Sequence, residues 1–179
     1  MATDTLKIGS LAPDFNLPAT DGKKYSLDTF TGKKALVVVF SCNHCPYVQA
    51  YEDRIIEIQK DYAKDVQLIA ISSNEDVNYP EDSFENMKER ALTKKFNFPY
   101  LHDETQNIAK AYGATHTPEI FLFDKERKLV FHGKIDDNWQ EPQSVKSKYL
   151  RNAIDELLSG KQISVPETFT IGCTIKWKK

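Results

Sequence analysis

The stretch that decides the fold is Val37–Val48, VVVFSCNHCPYV. An apolar β-branched run stops at Ser41, two cysteines follow with two residues between them, and Pro46 comes directly after the second. Outward to the left, ALVVVF (35–40) is bounded by Lys33-Lys34 and Ser41, the pattern of a strand buried on both faces. Outward to the right the period changes. Val48, Tyr51, Ile55, Ile58 and Tyr62 recur at steps of three and four, one apolar stripe of an amphipathic helix. VQLIAIS (66–72) is again a buried-strand run. Strand, helix and strand in quick succession predict a βαβ unit with parallel pairing.

A Cys-x-x-Cys at a strand-to-helix junction has three readings: a redox dithiol, half of a metal site, or two buried cysteines. The redox reading has a physical basis. The first helical turn carries unpaired N–H groups and a partial positive charge, which stabilise a thiolate placed there. The spacing holds the second thiol close enough to resolve a mixed disulfide within the chain. On this reading Cys42, at the strand exit, is the attacking thiol with a lowered pKa, and Cys45 is the less exposed resolving thiol. Pro46 is tolerated because early helical N–H groups have no intrahelical partner. Asn43 is expected to cap the helix. His44, when protonated, is expected to stabilise the Cys42 thiolate and make the pair more oxidising. Zinc sites use the same spacing, but there is no second pair. The remaining donors, Cys173, His44, His102, His116 and His132, stand in no paired ligand spacing, so no metal site is expected.

The rest of the chain supports one mixed sheet. Asp21-Gly22 between FNLPA and KKYSL signals a hairpin within an N-terminal extension, 9–26. YPEDSFENMKERALTKKF, acidic at its start and basic at its end, predicts a helix from Pro80 with Phe84, Met87, Leu92 and Phe96 inward. A short helix is expected over 104–112, ending at Gly113. EIFLFD (119–124) and LVFHG (129–133) predict an antiparallel hairpin, and SVKSKYLRNAIDELLSG a last helix with Leu150, Ile154 and Leu157 inward. Residues 161–179 read as an irregular tail with a short strand. A βαβ half followed by a ββα half, 1–179, is expected to fold as a single domain.

The chain has 179 residues, 40% hydrophobic and 28% charged, with a net charge of −2. That charge argues against a nucleic-acid partner. MATDTLKIGS shows neither a signal-peptide pattern nor, with Met1-Ala2, a myristoylated glycine. No apolar run approaches the roughly 20 residues that cross a membrane. The expected location is cytoplasmic, without a membrane partner. Three cysteines are too few for a disulfide scaffold.

Thr117-Pro118, immediately before an apolar strand, is the second chemical feature, since proline is confined to strand starts and edges. CNHC after a β-branched strand, followed by THTPEIFLFD before a hairpin, resembles the thioredoxin fold. GSLAPDFNLPATDGKKYSLDTFTGKKALVVVF resembles the redoxins of the alkyl hydroperoxide reductase and thiol-specific antioxidant group. CNHCPYVQAYEDRI, YPEDSFENMKERA, PYLHDETQNIAKAYGATHTPEIFLFD, GKIDDNW and GCTIKWK together resemble the peroxiredoxin-like branch, from about Gly9 to Lys178.

The resemblance implies an α/β thioredoxin fold and thiol–disulfide exchange in redox homeostasis, with no cofactor. The partner would be a protein or small-molecule disulfide or thiol, and the chain a monomer or homodimer. Cys42 matches the nucleophile, Cys45 the resolving thiol and Pro118 a cis-proline facing them. Thr117 inherits backbone contacts to a bound substrate chain. Glu119 has no firm role: turned inward it is a proton acceptor near Cys45, and the expected arrangement is a solvated strand-start carboxylate. The peroxiredoxin motif has Pro and Thr or Ser seven and three residues before its cysteine. Aligned on Cys45, Val38 and Cys42 stand there, which weakens the alternative of a thiol peroxidase. The other alternative is a non-catalytic binding protein holding a metal at Cys42 and Cys45. Cys173 has three readings: attack on the oxidised dithiol, an intersubunit disulfide, or burial between Ile171 and Ile175, the last being expected. Trp139 in KIDDNWQEP is either a substrate contact or, as expected, part of a capped turn.

Overall fold

The computed structural model describes residues 4–179. The reading of the first residues, Met1 and Ala2 included, lies outside the described range. The central sheet has five strands in the order β5-β4-β3-β7-β8, with β3 (Ala35–Ser41), β4 (Val66–Ser72), β5 (Tyr100–His102), β7 (Glu119–Phe123) and β8 (Leu129–Gly133). β3, β4 and β5 run parallel, and β7 and β8 are antiparallel additions. The parallel step from β3 to β4 is made by helix α1 (Pro46–Tyr62), as the βαβ pattern required.

All seven residues of β3 are buried, because alternate side chains enter two cores. Ala35, Val37 and Val39 meet Tyr51, Ile55 and Ile58 of α1 and Leu150 and Ile154 of α4 (Tyr149–Leu158). Leu36, Val38 and Phe40 meet Phe15, Phe30 and Tyr112 on the other face. There Phe40 packs edge-on against Tyr112 and Phe121, with ring centroids 5.4 and 5.7 Å away. Each such side chain contributes about 1.5–3 kcal/mol through burial. Helix α3 (Asn107–Tyr112) places Ala109 and Tyr112 in the same core and ends at Gly113 in the left-handed region, φ 65°. The Asp21-Gly22 hairpin forms between β1 (Asn16–Pro18) and β2 (Lys24–Ser26).

Two expectations about the acidic segment need correction. Pro80–Asp82 is a single 3-10 turn. Helix α2 (Phe84–Thr93) starts after it, capped by the Ser83 hydroxyl, which accepts from the Asn86 amide at 3.2 Å. Met87 is buried, but Leu92 is 80% exposed, and Phe96 lies beyond the helix end. Five residues from Met87, Leu92 lies about 140° round the helix from it, on the outer face. The tail contributes the two-residue strand β9 (Cys173–Thr174), which pairs antiparallel with β6 (His116–Thr117).

Candidate active site

Strand register brings the site together. Phe40 pairs with Glu119, so the chain leaving β3 runs beside the turn that enters β7. Cys42 therefore lands against Thr117, its Sγ 3.5 Å from the threonine hydroxyl. Cys45 Sγ lies 3.4 Å from the Thr117 carbonyl oxygen. The Thr117–Pro118 bond is cis. Both thiols are buried, 1% and 0% exposed, and they pack with Val48, Tyr47 and Cys173.

Helix α1 begins later than the placement of Cys42 at its positive end supposed. Pro46 is its first residue and Cys45 its N-cap position. The helix terminus therefore favours charge on Cys45, not on Cys42. The two thiols behave as one titrating unit. The hydrogen bond between them keeps the proton on Cys42 and pushes its pKa far above the ordinary thiol range; burial and the nearby Asp82 charge add to this. The same bond lowers Cys45 to about 4 against the opposing effect of burial, with help from the Cys173 thiol and the Val48 amide. A neutral Cys45 is placed to donate to the Thr117 carbonyl at 3.4 Å while its sulfur still accepts from Cys42.

Asp82 organises the Cys42 side. It is fully buried. Its Oδ1 accepts from the amides of Asn43 at 2.7 Å and His44 at 3.3 Å. Its Oδ2 accepts from Asn74 at 2.8 Å and lies 2.5 Å from His44 Nδ1. The expected helix cap at Asn43 is not formed, because the helix starts three residues later. Instead Asn43 donates to the Glu81 carbonyl at 2.9 Å and accepts from the Tyr100 hydroxyl at 2.8 Å. His44, expected to pair with a Cys42 thiolate, pairs with Asp82 and stacks on Tyr79 at 5.6 Å. A ring nitrogen of His44, the Cys42 sulfur and an Asp82 oxygen lie within 4.8 Å of one another. These are metal-ligand types, but the hydrogen bonds just named already satisfy both Asp82 oxygens and His44 Nδ1.

Glu119 is neither solvated nor directed at a thiol. It is 1% exposed. One oxygen accepts from the amides of Thr115 at 2.7 Å and His116 at 3.0 Å; the other meets His132 Nε2 at 2.7 Å. The carboxylate thus folds the loop that carries Thr117. Cys173 departs from its expected burial between two isoleucines. Ile175 is buried, but Ile171 is exposed, and Cys173 Sγ stands 2.7 Å from Cys45 Sγ. Trp139 sits in a turn held by Asp136, which accepts from the Tyr51 hydroxyl at 2.7 Å and Arg54 at 2.8 Å. Its ring lies 4.3 Å from Tyr47, so it borders the thiol cluster through that residue.

Asp82 and Tyr100 escaped the sequence reading. YPED looked like a helix start, and nothing local distinguishes a buried aspartate there from a solvated one. Tyr100 carried only the signal of a short apolar strand.

A mixed sheet with helices on both faces, a Cys-x-x-Cys where β3 meets α1 and a cis-proline facing it define a thioredoxin-fold redoxin. The chain belongs to the AhpC/TSA family, whose model matches residues 8–132. A solved uncharacterized conserved protein from Geobacillus kaustophilus is 41% identical with a TM-score of 0.90, covering 96% of this chain and 93% of that one. The thiol-disulfide oxidoreductase ResA of Geobacillus kaustophilus (strain HTA426) is 30% identical over 133 residues, 72% of this chain and 71% of that protein. The peroxiredoxin Bcp of Escherichia coli (strain K12) is 30% identical over 112 residues, 60% of this chain and 65% of that protein.

Proposed function

We propose that Cys42 and Cys45 are the working dithiol of this thiol–disulfide oxidoreductase. The observation that carries the assignment is the placement of two buried sulfurs, two residues apart, both against Thr117. A thiolate is the nucleophile in exchange, and Cys45 holds the charge. It attacks one sulfur of a disulfide, the other sulfur leaves as a thiolate, and a mixed disulfide forms. Cys42 then gives up its proton and attacks the Cys45 sulfur, closing Cys42–Cys45 and releasing the second thiol. These roles reverse those expected from the sequence, because the helix terminus lies at Cys45. The partner is a protein or small-molecule disulfide or thiol. We place the chain in the cytoplasm, where thiols stay reduced.

The test is oxidation by excess oxidised glutathione, followed by counting thiols. The three free cysteines are expected to fall to one, and dithiothreitol to restore them. Three thiols surviving in folded protein would overturn the assignment. Likeness to a peroxiredoxin supports a second reading, with peroxide oxidising Cys45 to a sulfenic acid. Val38 and Cys42 stand where that motif has Pro and Thr or Ser, so peroxide consumption is expected to be slow beside disulfide exchange. Zinc bound one per chain in untreated protein would favour a metal-holding role instead.

A further inference from the structure

The tail is seated with more care than a loose end needs. Thr117 pairs with Cys173 and His116 with Thr174. A Cβ on Gly172 would stand 2.1 Å from the Thr117 carbonyl oxygen, so only glycine lets the tail approach this closely. Upstream, the Thr168 amide donates to the His132 carbonyl at 3.0 Å and its hydroxyl accepts from the Lys134 amide at 2.9 Å. Downstream, the Ile175 amide donates to the Thr115 carbonyl at 2.9 Å and the Lys176 amide to Asn74 Oδ1 at 3.0 Å. Held from both sides, Cys173 presents its sulfur 2.7 Å from Cys45 Sγ, outside the roughly 2.05 Å of a disulfide bond. Of the three cysteines it alone is half-exposed.

We propose that Cys173 is a third redox-active cysteine, which passes the disulfide between the buried Cys42–Cys45 pair and partners outside. This rests on the exchange reading above. In the oxidised protein the Cys173 thiolate attacks Cys45 Sγ. The Cys45–Cys173 bond forms, the Cys42–Cys45 bond breaks, and Cys42 takes up the proton that Cys173 gave away. One disulfide replaces another, with no net oxidation. An external thiolate then attacks the half-exposed Cys173 sulfur, and Cys45 leaves as a thiolate. A sulfur of low pKa leaves fastest, and Cys45 is held at about 4. A second external thiol resolves the mixed disulfide on Cys173. Two outside thiols have become one disulfide, and the protein holds three thiols again. Cys173 is an effective attacker only when deprotonated, and burial raises its pKa above the ordinary thiol value. The relay should therefore speed up with pH.

The experiment uses the full chain with Cys42→Ser, and Cys42→Ala as a second version, each oxidised by glutathione disulfide and mapped by mass spectrometry without reduction. The expected product joins the Cys45 and Cys173 peptides and carries no glutathione. Adding Gly172→Val should slow its formation about tenfold, since the sulfurs lose their enforced alignment. A glutathione adduct on Cys45 with Cys173 free would overturn the relay while leaving exchange intact. Wild type that forms no disulfide at all would overturn both.

Discussion

Cys42 and Cys45 share one short segment, one neighbour in Thr117 and near-complete burial, yet their surroundings pull them apart. The Cys42 side is built from the 3-10 turn at Pro80–Asp82 and the end of β4, and its fixed charge is the buried Asp82 carboxylate. The Cys45 side is built from the start of α1 and the tail, and it meets N–H groups and a third thiol. Burial alone would raise both pKa values. The difference lies in what each sulfur faces, and it decides which one carries the charge.

The harshest way to break this contrast is Asp82→Ala. It leaves the Asn43 and His44 amides and the Asn74 side chain without their acceptor and His44 without its partner. Leaving each buried donor without its acceptor costs about 1–3 kcal/mol, expected as a lower urea midpoint at unchanged slope.

A pH series probes both sides together. Between pH 4 and 9 the reduced folded pair, with Cys45 charged, binds one proton fewer than the unfolded pair, whose thiols titrate near 9. Stability therefore rises with pH across that window. Above pH 9 the unfolded pair loses both protons while Cys42 keeps its own, so the sign reverses. Urea midpoints of reduced wild type measured against Cys45→Ser should show the difference growing from pH 5 to pH 9. A flat difference would remove the charge from Cys45.

Tyr100→Phe is gentler. It strips the Asn43 side-chain oxygen of its donor in a buried setting, at a cost of about 1–3 kcal/mol. The effect should fall on the Cys42 side and leave the alkylation rate of Cys45 by iodoacetamide nearly unchanged. The smallest effect belongs to Leu92→Ala. This exposed side chain touches neither side, and its thermal midpoint should move by less than the equivalent of about 0.5 kcal/mol.

Much of the fold was legible in the chain. β3, β4, α1 and the β7–β8 hairpin fall where run length and period placed them, because a strand buried on both faces and a one-sided helix have distinct patterns. The dithiol and Pro118 were legible for the same reason, as local signals at a strand end. Leu92 was misread because apolar character alone put it on the Met87 face, although a spacing of five residues sets it about 140° away. Asn43 was misread as a cap because a helix start cannot be located to a residue by pattern alone.

The sequence by itself determined that two thiols stand at the mouth of a buried strand, with a proline-led strand to meet them, since both are consequences of local apolar periodicity. Only the tertiary structure decided that Asp82, His44 and Asn74 close over Cys42, that Glu119 folds the Thr117 loop, and that Cys173 reaches Cys45. Asp82, Asn74 and Cys173 are far along the chain from the thiols they meet, and strand register with a glycine-permitted approach brings them together. A charge shared between sulfurs depends on angstroms, and no spacing in the sequence specifies distances of that kind.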